Sequence, residues 1–189
     1  MPNMPDIDFS KIRALHGDQK HGFEELVCQL GRLDRPAVDA RFFRCDGSGG
    51  DGGVEAYWTL NDHGKVAYQA KFHLRPGDID WGKIDGSVRT ALAVHPTLSK
   101  YIIAIPCNLS PPTARGQGGR GRPQKSGKEH WDEQVAQWSK DFPDVEFVLW
   151  DENELLRALC ALHPHPQASA VTPFPGTRSV WCRSCNWNG

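Results

Sequence analysis

Apolar residues at Phe23, Leu26, Val27 and Leu30 fall at i, i+3, i+4 and i+7, which predicts a helix with one buried face, stopping at Gly31. Glu24 and Glu25 stand in its opening turns, where the helix dipole favours acids. Val38 to Arg44 is a short β-prone run that ends at Cys45. From Gly53 to Leu60 the pattern alternates, with Val54, Ala56, Trp58 and Leu60 on one face and Glu55, Tyr57 and Thr59 on the other. Asn61-Asp-His-Gly64 is turn chemistry, and Val66 to His73 alternates again. Val66, Tyr68, Ala70 and Phe72 form its apolar face; Ala67, Gln69, Lys71 and His73 take the opposite one. The two runs predict a β-hairpin. Directly opposed residues of an antiparallel pair share a face, so matching the apolar faces sets Glu55 opposite Gln69 or Lys71. Either register gathers Glu55, Gln69 and Lys71 on one side.

Ile84, Val88, Ala91, Leu92 and His95 predict a second helix, ended by Pro96. Tyr101 to Pro106 is wholly apolar, the mark of a strand buried on both faces. Asn108 to Lys125 carries no period and is rich in Gly, Pro and Arg, as functional or disordered loops are. Ser126 with Glu129 is a capping-box signature, followed by Trp131, Val135 and Trp138 at helical spacing, which marks both tryptophans as core. Val145 to Trp150 reads as a strand, and Asp151 with Glu154 opens a last helix through Leu155, Leu156 and Leu159. The order predicts an α/β domain with a mixed sheet, antiparallel in the hairpin and parallel beyond it. The expected boundaries are an N-terminal extension at 1–17, the domain at 18–162 and an irregular Pro-rich tail at 163–189.

Composition narrows the classes. With 22 Lys plus Arg against 23 Asp plus Glu, the chain of 189 residues has a formal net charge of -1, which excludes a globally basic nucleic-acid coat and an acidic tail. Hydrophobic residues at 39% and charged residues at 24% exclude wholesale disorder. No apolar run approaches the roughly 20 residues of a membrane helix, and the first ten residues lack the pattern of a leader, so a soluble, cytoplasmic protein with no membrane partner is expected. Of the six cysteines, those at 28, 45, 107 and 160 are isolated, as small buried hydrophobes of a reducing compartment are. Cys182 and Cys185 with His163 and His165 offer zinc-ligand types, but one Cys pair is half a site and the spacing fits no standard finger. The tail reads as a linker or disordered end.

The polar face of the hairpin carries the chemistry. Phosphodiester cleavage needs an activated water, a metal to neutralise phosphate oxygens and often a cation near the nucleophile. Glu55 and Asp51 supply carboxylates, Gln69 a neutral oxygen, Lys71 the cation, and the glycines around Asp51 let a phosphate backbone approach the main chain. The glycine cluster at 46–53 is no P-loop, because no Gly-Lys-Ser/Thr follows and the next element is a strand; as an EF-hand it would need Glu where Tyr57 stands. The competing reading of Glu55, Gln69 and Lys71 is a solvated strand face with a cross-strand Glu–Lys pair. Arg115, Arg120, Arg122, Lys125 and Lys128 form a basic stretch without an acid between them, either a backbone-contacting arm for nucleic acid or a solvated loop.

Gly50-Asp-Gly-Gly-Val-Glu55, a turn, and Tyr68-Gln-Ala-Lys71 together resemble the restriction-endonuclease-like superfamily, the PD-(D/E)xK nucleases. The Gln-x-Lys form and Phe23-Glu24 in the first helix are similar to its Mrr-like branch, and to nuclease modules of bacterial anti-phage proteins, some fused to STAND-type ATPases. The resemblance spans roughly Phe23 to Leu159. It implies a three-layer core and a magnesium-dependent endodeoxyribonuclease, with manganese as a substitute metal. It places Glu55 at the metal-binding acid, Gln69 at the second ligand and Lys71 at the catalytic lysine. Glu24 matches the supporting helix carboxylate and Asp51 the flanking acid. Glu stands where Asp is usual and Gln replaces the second acid, so Asp51 or Glu24 would have to restore the missing charge. The resemblance further implies DNA as partner, a homodimer or larger assembly, and a C-terminal sensor or ATPase module. A catalytically inactive nucleic-acid-binding or assembly module with the same fold is the alternative.

Overall fold

The computed structural model describes residues 7–45, 52–112 and 125–161. The first helix, α1, runs over Gln19–Leu33, and the Asp18 carboxylate caps it by accepting from the Lys20 N–H at 2.9 Å. It passes through Gly31 where a stop was expected. A Cβ at Gly31 would lie 3.0 Å from the Tyr68 ring, and the Trp58 indole N–H donates to the Gly31 carbonyl at 2.7 Å. Gly31 therefore marks where the helix backbone closes on the sheet, a tertiary demand that local punctuation does not reveal.

Strand β1 (Arg41–Arg44) is shorter than the run that predicted it, and Val38 is left exposed. Strands β2 (Ala56–Thr59) and β3 (Lys65–Ala70) form the expected hairpin, pairing Ala56 with Tyr68 and Thr59 with Lys65. Helix α2 (Trp81–Val94) crosses to β4 (Leu98–Ala104), α3 (Gly127–Asp141) to β5 (Glu146–Trp150), and α4 (Glu152–Ala161) follows. The capping box at Ser126 and Glu129 is formed. The five strands lie in the order β1-β2-β3-β4-β5, antiparallel through β3 and parallel from β3 to β5.

Each face of the sheet has its own core. On one side Ile84, Val88 and Ala91 of α2 and Trp138 of α3 pack with Tyr101 and Ile103. On the other, Phe23, Val27 and Leu30 of α1 and Leu155 of α4 pack with Tyr68, Ile102 and Trp150. The result is a three-layer α/β arrangement with a mixed sheet in the middle. Residues 101–105 are buried throughout, as the apolar run required, because β4 lies between β3 and β5 with a core on each face of the sheet. Trp131 and Trp138 are both buried, their rings edge to face at 5.9 Å. From the segment expected as an extension, Phe9 joins the core beside Phe23.

One face assignment fails. Val54, expected beside Ala56 and Trp58, packs in the α2 core, whereas Trp58 packs in the α1 core. Gly52 and Gly53 both take positive φ, so the alternation starts only at Glu55 and does not extend back to Val54. No helix among the described residues is long and apolar enough to cross a membrane.

Candidate functional site

Where β3 ends and β2 begins, α1 and α2 flank the end of the sheet and leave a cleft of about 480 Å³. Glu24, Glu55, Gln69, Lys71 and His73 all line it, together with Lys20, Lys83 and Ser87. One residue before the ladder, the Glu55 N–H donates at 2.8 Å to the carbonyl of Tyr68, the residue that Ala56 faces, and Glu55 and Gln69 both line the cleft. Glu24 reaches the cleft from α1 and pairs with Lys20 at 3.3 Å.

Gln69 is 2% exposed, and its two amide ends differ. Nε2 donates to the Gly53 carbonyl at 2.6 Å; Oε1 is buried without a hydrogen-bond partner. Buried acceptors are seldom left unsatisfied, so this oxygen is one that a bound ion or water would satisfy. Lys71 continues β3, its N–H donating to the Ala104 carbonyl at 2.9 Å, and its ammonium donates to Ser87 Oγ at 2.9 Å. The Ser87 hydroxyl in turn donates to the Lys83 carbonyl at 2.9 Å, so α2 holds the lysine.

The described lining of the cleft is net positive. Among the described residues, Lys20, Lys71 and Lys83 face Glu24 and Glu55, three ammonium groups against two carboxylates. Burial, then the neighbouring Lys71 charge, holds the His73 pKa below the usual imidazole value, so His73 is neutral at pH 7. Beside Glu55, the Cys28 thiol is pushed up to about 12, chiefly by burial, and is not a nucleophile.

Among the described residues no group of three or more His, Cys, Asp or Glu could hold a metal ion. The cleft offers the Glu24 and Glu55 carboxylates and the Gln69 amide oxygen, with the His21 and His73 imidazoles also in its lining. The oxygen donors suit Mg²⁺ or Mn²⁺, and the orphaned Gln69 Oε1 fits such a cation. Asp51 lies outside the described residues, as do Arg115, Arg120 and Arg122. Lys125 and Lys128 are exposed at the start of α3, bound to Glu133 at 2.7 Å and to Asp132. Neither lines the cleft; Lys125 borders a second cavity of about 460 Å³ with Trp81 and His130.

Besides Lys20 and Lys83 of the lining, which sequence reasoning did not single out, two residues that hold the site were missed, Ser87 and Tyr101. Tyr101, fully buried in β4, donates its hydroxyl to the Gly53 carbonyl at 2.6 Å. Both act across elements distant in sequence, and in the local pattern they read as a polar helix residue and a core aromatic. No protein-family model matches the chain, and a search of curated proteins gives no significant match.

Proposed function

We propose that this chain is a metal-dependent endodeoxyribonuclease that hydrolyses DNA phosphodiester bonds, serving bacterial anti-phage defence. The observation that carries the reading is the buried, unpartnered Gln69 Oε1 in one cleft with Glu55 and Lys71. Glu55 and Gln69 Oε1 would hold the cation, with Glu24 or Asp51 restoring the charge that an amide lacks. When bound, Mg²⁺ or Mn²⁺ supplies an acidified water and neutralises phosphate oxygens. Lys71, held by Ser87, orients the attacking water and offsets the charge that develops on the phosphate. The excess of ammonium groups draws the polyanion to the cleft.

Plasmid nicking with Mg²⁺ or Mn²⁺ against EDTA, for wild type and Lys71→Ala, tests this. Cleavage that needs metal and falls by about a hundredfold or more in the variant is the expected result. The lack of a three-residue His, Cys, Asp or Glu metal cluster among the described residues favours a second reading, a catalytically silent nucleic-acid-binding module. DNA binding without metal-dependent cleavage at any protein concentration would establish it and exclude the nuclease.

A further inference from the structure

The carbonyl of Gly53 accepts two hydrogen bonds of 2.6 Å, one from Gln69 Nε2 on β3 and one from the Tyr101 hydroxyl on β4. Gly53 has φ +83°, and a Cβ there would lie 2.8 Å from the Ser87 carbonyl oxygen, so only glycine brings this backbone so close to α2. A carboxamide has two ends of similar size and opposite polarity, and its neighbours decide which end points where. Here a carbonyl takes the N–H end, and the oxygen end is left as the buried acceptor in the cleft lining.

From this geometry we propose that Tyr101 is a positioning residue for divalent-cation binding. By pinning the Gly53 carbonyl, it locks the amide of Gln69 with its oxygen toward the cation. The inference rests on the metal-dependent reading above and extends it to a residue that never touches the cation. It also gives a physical reason for an amide at position 69. A Glu there has no N–H to donate, and its carboxylate would stand 2.6 Å from a carbonyl oxygen, a repulsive contact. Gln joins the glycine turn to the cation, whereas Glu could serve only one of the two. If Gly53 loses its second donor, the amide is free to turn its NH₂ toward the cation, where it repels.

The test is Mn²⁺ binding to the full chain by isothermal titration calorimetry, which needs no turnover, for wild type, Tyr101→Phe and Gln69→Glu. Tyr101→Phe keeps the buried ring and removes only the hydroxyl. It is expected to weaken Mn²⁺ binding roughly tenfold, as loss of an outer-sphere partner does, with KM for DNA unchanged. A purely structural hydroxyl would lower the unfolding midpoint without moving Mn²⁺ affinity, and that outcome overturns the proposal. Gln69→Glu is the second arm. It is expected to bind Mn²⁺ no tighter than wild type despite its added charge, and tighter binding would overturn the amide argument. Wild type that binds Mn²⁺ beside an unchanged Tyr101→Phe defeats this inference and leaves the nuclease reading standing. Wild type that binds no Mn²⁺ defeats both.

Discussion

Gly53 packs closely against the Ser87 carbonyl of α2, whereas Gly86 of the same helix meets nothing, and Gly→Ala should act on them with opposite sign. At Gly53, φ is +83° and the new Cβ would meet the Ser87 carbonyl at 2.8 Å, a helix backbone atom that cannot swing aside. A left-handed conformation costs an L-residue about 1–2 kcal/mol. Relieving the overlap moves the Gly53 carbonyl away from both its donors, at about 1 kcal/mol for each hydrogen bond weakened. The sum is about 3–4 kcal/mol of lost stability, or a fall of about 6–16 °C in Tm for a chain of this length. Gly86 is exposed in the middle of α2 with nothing within 4 Å of its would-be Cβ. Alanine there removes backbone freedom from the unfolded chain, so stability should rise by about 0.5–1 kcal/mol. Urea unfolding and calorimetric Tm of the two variants measure both effects. A Gly53→Ala protein within about 2 °C of wild type would refute the close approach on which the site geometry rests. A Gly86→Ala protein that loses stability would refute the reading of Gly86 as an open helix position.

The remaining predictions concern titratable groups. Burial raises the thiols of Cys28 and Cys107 to about 12 and about 11, so at pH 8 their thiolate fractions are on the order of one in ten thousand and one in a thousand. Of the four described cysteines, iodoacetamide on the native protein, mapped by mass spectrometry, should modify the half-buried Cys45 and Cys160 first and reach Cys28 and Cys107 only after denaturation. Early labelling of Cys28 would show that α1 opens readily. His73 has a lowered folded pKa, set by burial and then Lys71, with Asp78 and Asp80 opposing and Lys83 adding to the shift. The unfolded chain therefore binds the proton more readily. The stability contribution is complete above the unfolded value of about 6.5 and is lost as pH falls through the folded one. Unfolding free energies at pH 5 and pH 7.5 should show a steeper acid loss in wild type than in His73→Gln; equal slopes would contradict the assignment.

Much of this architecture is legible in periodicity. The hairpin, the apolar β4 and the three later helices follow from spacings of two and of three to four, because each element has at least one continuously buried face. The gathering of Glu55, Gln69 and Lys71 was legible for the same reason, since register in a hairpin is set by its turn and its apolar face. The misreadings sit at glycines. Gly31 reads as a stop, yet the Tyr68 ring and the Trp58 indole make it an interior contact. Gly52 and Gly53 break the alternation, so Val54 joins the other core. Ser87 and Tyr101 left no trace because their partners, Lys71 and Gly53, come from other elements. A hydrogen bond between distant segments has no period to detect.

Among the described residues, keeping the strands in chain order leaves β1 and β5 as the two unpaired rims of the sheet. An open rim is a template for another chain, and β1 carries Phe42 and Phe43, with Phe43 45% exposed. Its defence lies in its ends. The strand is four residues long with Arg41 and Arg44 at its limits, and Glu25 holds Arg44 at 2.5 Å. A second copy docking antiparallel and in register would set Arg41 of each chain against Arg44 of the other, two like-charge contacts for only two Phe pairings. The arginines thus act as gatekeepers, making this rim a poor seed for aggregation and steering any pairing of two copies to another surface.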